Sequence, residues 1–199
     1  MSSRGYVTKE QVCQILGWDA TDTVLGAEID ALIPLAEDMV DQYCHTRFDR
    51  EEGVTRTFLS NGTEILTLGY FLDNLTSVEL IDYDGNSWGF LDKVMPQPSE
   101  PRYGKYRWLL RYDGETFKDN FTVKVTGDWG WTNDTRPSQI SAATAFVVKM
   151  IFDIRNIDEF TTMESGSGRM IQTSKTVDIY IPFISRALLG DFKNSRWFG

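Results

Sequence analysis

Apolar residues recur at spacings of three and four from Leu25 onward: Leu25, Ile29, Leu32, Ile33, Ala36, Met39, Val40, Tyr43 and Cys44. This is the pattern of one apolar helix face. Glu28, Asp30, Glu37, Asp38 and Asp41 are expected largely on the other side. Thr21 or Asp22 can accept the first free backbone N–H groups and so mark the start. At 1.5 Å per residue a helix of this length spans about 33 Å. Pro34 lies inside it and predicts a kink with the helix continuing, because proline removes one hydrogen bond and crowds the preceding turn. Upstream, Thr8-Lys9-Glu10-Gln11 reads as a capping box opening a short helix that Gly17 can end. Val7, Val12, Ile15, Leu16 and Trp18 give that helix an apolar side.

After His45 the period changes. Arg56–Ser60, Asn61-Gly62 and Thr63–Leu68 read as a β-hairpin, since Asn-Gly best tolerates the two positive φ angles of a type I′ turn. Val78–Tyr83, Asp84-Gly85 and Ser87–Leu91 form a second candidate hairpin. Trp108–Tyr112, Asp113-Gly114 and Phe121–Thr126 form a third. Several strands sharing a face can be stable where a lone hairpin is marginal, so 54–131 is expected to be a small antiparallel sheet or barrel. Met95–Tyr106 holds three prolines and reads as an exposed loop.

Helical spacing returns at Pro137, which suits a first helical position. Ile140, Ala143, Phe146, Val147, Met150, Ile151 and Ile154 trace one face through Arg155, the natural cover for the first long helix. Met163–Ser174 is rich in glycine and serine, Val177, Ile179 and Ile181 alternate like a short strand, and Pro182 opens a last helix through Leu189. The fold class expected is α+β: a helical frame, 7–48 and 137–192, with an inserted antiparallel β region, 54–131, and a tail, 193–199. The frame has two N-terminal helices, one long helix in the C-terminal half and a short last helix.

Composition narrows the function. The chain has 199 residues, 41% of them apolar, enough for one domain with a packed core. Its net charge of −9 disfavours an ordinary nucleic-acid reader or a binder of anionic lipid. No apolar run has the length of a membrane span, and Met1–Gly5 is not a basic leader to an apolar segment. Cys13 and Cys44 lack metal-ligand spacing and read as reduced, packed thiols of a cytosolic protein.

Candidate chemistry is sparse. His45 is the only histidine, so any Ser-His-Asp or Cys-His arrangement depends on it, and at a helix end beside Cys44 it reads as a cap. Asp82–Asn86 resembles part of a calcium loop but lacks the ligand alternation and closing glutamate, which leaves a turn. Gly127–Trp131 has neither the lysine nor the strand–loop–helix setting of a phosphate loop. Carboxylate pairs are expected by chance among 29 acids. The reading is of a protein with no catalytic residues, no metal and no cofactor.

The order of segments carries a resemblance. A long helix ends in Val40–Phe48, the β region closes on Val123–Trp131, Pro137 opens the helix Gln139–Ala143, and Ile181–Phe192 precedes a basic terminus. In that order and spacing the chain resembles the head–tail connector (adaptor, head-completion) proteins of tailed bacteriophages over roughly half its length. The resemblance implies a non-enzymatic virion protein, made in the host cytoplasm. It would assemble as a twelve-subunit ring beneath the portal protein, extend the DNA channel and dock the next neck component, a stopper or tail-completion protein. Genomic DNA would pass through without specific binding, in packaging and in ejection, and no membrane is involved.

Carried onto this chain, the resemblance makes Ile181–Gly199 the portal-binding segment: Ile181, Pro182, Phe183 and Arg186, then Lys193 and Arg196 as polar contacts and Trp197 and Phe198 as apolar anchors. Glu37, Asp38 and Asp41 become candidate channel-facing acids, since a wall of carboxylates offers no cation to phosphate. Three alternatives stay open: another phage neck protein, such as a stopper or tail-completion protein; a carbohydrate-binding or hydrolytic β domain; or a soluble partner-binding module with no phage connection.

Overall fold

The structure is a computed structural model that describes residues 4–99, 102–160 and 181–193. It divides into a helical unit, drawn from Met1–His45 and Pro137–Lys193, and a sheet unit, Thr46–Arg136. The α+β class expected from the sequence is the one observed, with four helices and six strands in one antiparallel sheet among the described residues.

In the helical unit, α1 (Lys9–Leu16) starts as the sequence predicts. The Thr8 side chain accepts from the Gln11 N–H, the Gln11 side chain accepts from the Thr8 N–H, and Gly17 closes the helix at φ 70°. In α2 (Thr23–Cys44) Asp22 is the cap, accepting from the N–H groups of Val24 and Leu25. The helix runs on through Pro34. Asp30, whose carbonyl loses its partner four residues on, lies on the exposed side, where water can replace the bond. His45 ends α2 in the left-handed conformation, φ 52°, its N–H donating to the Asp41 carbonyl.

Helix α3 (Ser138–Phe160) follows Pro137 and extends beyond the expected Arg155, and α4 (Phe183–Leu189) opens after Pro182. Helix α3 contacts α1, α2 and α4. Buried Ile29, Leu32, Ala36 and Val40 of α2 and Ile140, Ala143 and Val147 of α3 are the residues the helical spacing picks out. The expected strand through Val177 and Ile179, the Met163–Ser174 stretch and the tail residues Arg196, Trp197 and Phe198 lie outside the described residues.

The sheet unit departs from the expected pairing. Its strands are β1 (Glu51–Leu59), β2 (Ile65–Ile81), β3 (Ser87–Phe90), β4 (Val94–Gln97), β5 (Tyr106–Arg111) and β6 (Thr122–Trp129). The order is β1-β6-β2-β5-β4, with β3 paired to β2. The β2–β3 hairpin is as predicted, with Glu79 opposite Phe90. The other two hairpins are not. Strand β1 pairs β6 and not β2, with Phe58 opposite Val123. At Asn61-Gly62 only the glycine has positive φ, so the type I′ geometry is not made. The connection is a wider Asx turn, in which the Thr63 hydroxyl donates to Asn61 Oδ1 at 2.8 Å.

Strands β5 and β6 do not meet as a hairpin either. β5 pairs the first half of β2 and β6 the second half. The segment between them turns inward, placing Phe117 fully buried in the core. Arg111 Nη1 donates to the Thr116 carbonyl at 2.8 Å and Ser60 Oγ to the Phe117 carbonyl at 2.8 Å. Met95–Gln97, expected in the Met95–Tyr106 loop, belongs to the edge strand β4. Pro96 is tolerated there because an edge has one side without a ladder.

One sheet face is the core: Phe58, Leu66, Leu68, Val78, Leu80, Leu109, Val123, Val125 and Trp129. Where β6 passes to residue 131, the Gly130 N–H donates to the Phe71 carbonyl and the Trp131 N–H to the Phe48 carbonyl. Phe48, Phe71 and Trp131 pack together there, with ring centroids 4.6–6.0 Å apart.

Candidate assembly surfaces

The candidate acids on α2 come first. Glu37 falls four residues after Ile33 and three before Val40, on the apolar stripe itself, and it is fully buried. Its two oxygens accept the backbone N–H groups of Arg4 at 2.6 Å and Tyr6 at 2.7 Å. The reading of Glu37 as a channel-facing acid is therefore corrected: a carboxylate buried within its own unit meets no duplex. Asp38 and Asp41 are half-buried and pair with Arg4 at 2.6 and 3.2 Å. The Tyr6 hydroxyl also donates to Asp41 Oδ1 at 2.7 Å.

Burial opposes the charge on Arg4, yet its hydrogen bond to Asp38 and the field of Asp41 hold its pKa above the ordinary value. These acids fasten the N-terminal segment along α2, and Ser141 Oγ of α3 donates to the Tyr6 carbonyl at 2.7 Å from the other side. Periodicity counts residues around a helix and carries no sign of what a buried carboxylate will bind. Among the described residues of the helical unit, the exposed carboxylates include Glu10, Glu28 and Asp30 on α1 and α2, besides Asp19, Asp22 and Asp191 outside the helices.

The expected portal-binding residues split in two. Ile181 is buried, and its carbonyl accepts from Arg186 Nε at 2.9 Å. Ser185 Oγ of α4 donates to the Ala143 carbonyl of α3 at 3.0 Å. Lys193 Nζ lies 4.7 Å from the centroid of the Tyr43 ring, within cation–π range. Phe183 stands out of this anchored turn, 81% exposed, with Ile184 beside it. Pro182 lines a groove of about 440 Å³ with Phe146, Met150 and Ile154, spaced at four along α3, and with Lys149 and Asp153.

In the sheet unit, several charges are locked in pairs. Asp73 bridges Arg50 and Lys105, whose side chain is almost wholly buried. Burial pushes the Asp73 pKa up, but the two cations outweigh it and leave it below the usual carboxylate range. Arg56 packs its guanidinium 3.6 Å from the Tyr70 ring centroid and bonds Glu51.

The outward face of the sheet is divided, a feature the sequence reading did not single out. Over β1-β6-β2 it is polar, with rows Thr55–Thr126–Ser77 and Thr57–Lys124–Glu79. Over β2-β5-β4 it is uncharged and largely apolar, with Ile65–Leu110–Met95 in one row and Thr67–Trp108–Gln97 in the next. Both halves of this alternation are present in Ile65-Leu66-Thr67-Leu68, but strand partners had to be known before the apolar side chains could be seen to line up.

No protein-family model matches the chain, and no curated protein sequence does. Solved structures do. One match is a chain from the neck of an empty gene transfer agent particle computed with C6 symmetry, at 13% identity and TM-score 0.58, covering 98% of this chain and 93% of that one. A second is a chain from the virion of a native gene transfer agent particle, at 13% identity and TM-score 0.56, covering 100% of this chain and 95% of that one. The likeness is one of fold. It takes in the sheet unit together with the helical frame, so the inserted strands belong to the shared architecture.

Proposed function

We propose that this chain is a structural protein of a phage-like neck, a head–tail connector (adaptor) of the virion. The observation that carries this reading is the shared fold with a chain of a gene transfer agent neck over 98% of the length. It agrees with the resemblance read from the segments ending at Phe48, Trp131 and Phe192. In this role the chain assembles as a ring, of twelve subunits by analogy with the connector family. The ring stacks on the portal, continues the DNA channel and receives a stopper or tail-completion protein on its other side.

Phe183, held out by the anchored α4, is the apolar portal contact on this reading. Arg186, Lys193, Arg196, Trp197 and Phe198 complete the segment. Buried Ile181 fixes the segment's base. The acidic balance of −9 suits a channel along which duplex DNA slides, and the exposed Glu10, Glu28 and Asp30 replace Glu37 as wall candidates. Screening over about 8 Å at physiological salt confines this effect to groups close to the duplex.

The experiment is native mass spectrometry or mass photometry of the purified chain, alone and with a portal ring. Rings of about twelve copies, formed alone or on the portal, are expected. A chain that stays monomeric and ignores the portal at micromolar concentration would overturn the reading.

A further inference from the structure

Among the described residues, the apolar half of the outward sheet face lies on the side of the sheet away from the core. Leu66 and Leu109, its alternating neighbours, fill the core, while Ile65 (46% exposed), Trp108 (36%) and Met95 (37%) face outward, with Tyr112 (53%) just beyond β5. A fully exposed aromatic side chain offers about 150–250 Å², so these four show on the order of 350 Å². That is close to half of the ~800 Å² each partner buries in a standard interface. Trp, Tyr and Met at the centre, with charge excluded to the rim, is the composition of an interface core.

Charge decides between occupants. Copies of a chain with net charge −9 repel each other over most of their surface. They can approach closely only where carboxylates are absent. The rows Ile65–Leu110–Met95 and Thr67–Trp108–Gln97 hold no charged residue, whereas the polar half of the same face carries Lys124 and Glu79. A partner recruited by opposite charge would have no use for an uncharged face. A closed ring, in turn, needs every subunit to present a surface that an unlike surface of its neighbour covers.

We propose that the apolar half of the outward face, centred on Trp108, Leu110 and Met95, is buried against a second copy of this chain in the assembled ring. This rests on the ring reading above and specifies which surface closes it. The rim of Glu64, Asp92 and Lys93 stays at the edge of the contact.

The test compares the wild-type chain with Met95→Glu and Trp108→Glu, and with Thr57→Glu on the polar half as control. Each is followed by mass photometry with and without the portal ring, and by thermal melting of the monomer. Met95→Glu, on an edge strand, is expected to melt within a few degrees of wild type yet remain monomeric, while Thr57→Glu assembles. Tryptophan emission of the wild type is expected to shift to shorter wavelength on assembly, and that of a Trp108→Phe variant to shift less. Rings of Met95→Glu and Trp108→Glu at wild-type yield would overturn this assignment and leave the neck reading standing. So would variant rings that form normally but no longer take up the next neck component, since the face would then belong to that partner. A wild-type chain that never assembles overturns both.

Discussion

The backbone N–H of Tyr6 donates to Glu37 at 2.7 Å, joining a segment that precedes the first helix to the middle of the second. The other oxygen of the same carboxylate takes the N–H of Arg4 at 2.6 Å. Two backbone donors thus depend on one buried side chain. Glu37→Ala leaves both without an acceptor, and is expected to cost about 2–4 kcal/mol. Glu37→Gln keeps one acceptor oxygen and should cost less. Urea unfolding of the three chains checks the order; equal midpoints would mean that the N-terminal segment is not held this way.

Asp113 is held at a pKa of about 2, chiefly by its hydrogen bond with the Arg111 side chain. The folded value lies below the unfolded value of about 3.9, so the pairing is complete above roughly pH 4 and is lost as the pH falls through about 2. An NMR titration of the Asp113 carboxyl carbon should show that low midpoint. In Arg111→Met the midpoint should return toward the ordinary range. An ordinary midpoint in the wild type would contradict the paired geometry.

Asp73 neutralises Lys105 and Arg50 together. Removing one partner of a buried pair costs about 3–5 kcal/mol, and part of that is screened here because Asp73 keeps some contact with water. Asp73→Asn is therefore expected to destabilise the sheet unit by about 2–3 kcal/mol. The double variant Asp73→Asn with Lys105→Met should recover part of the loss, which a double-mutant cycle would measure.

Gly130 has φ 73°, and a Cβ there would sit 1.9 Å from the Asp49 carbonyl oxygen. The left-handed conformation alone costs an L-residue about 1–2 kcal/mol, and the overlap with backbone adds to it because no flexible side chain can yield. Gly130→Ala should lower stability by more than about 3 kcal/mol or prevent folding. A melting temperature close to wild type would show that the two chain segments do not approach as described.

Phe183 serves as the reverse case, exposed and without a core role. Phe183→Ala should leave stability within about 0.5 kcal/mol of wild type while weakening portal binding by about 2 kcal/mol, as loss of an interface hot spot does. Undiminished portal affinity would remove Phe183 from the contact.

The amino-acid sequence alone determined the helices and most of their ends, the C-terminal end of α3 excepted. Thr8 with Gln11, Gly17, Asp22 and Pro137 act within one turn of chain, and the three- and four-residue spacing of Ile29, Leu32, Ala36 and Val40 marks the buried stripe without reference to any partner. It determined the β2–β3 hairpin for the same reason, since a short loop holds both strands in one another's reach. Tertiary structure decided the rest. β6 lies between β1 and β2, and β5 and β6 lie on either half of β2, because burying Phe58, Val123, Val125 and Phe117 in one core outweighs the local preference of adjacent strands to pair. Packing likewise turned Glu37 from a surface acid into an internal acceptor, and aligned Ile65, Leu110 and Met95 into an outward apolar row. Contacts between residues far apart in sequence leave no periodic trace in the chain, so only the packed sheet and helices reveal them.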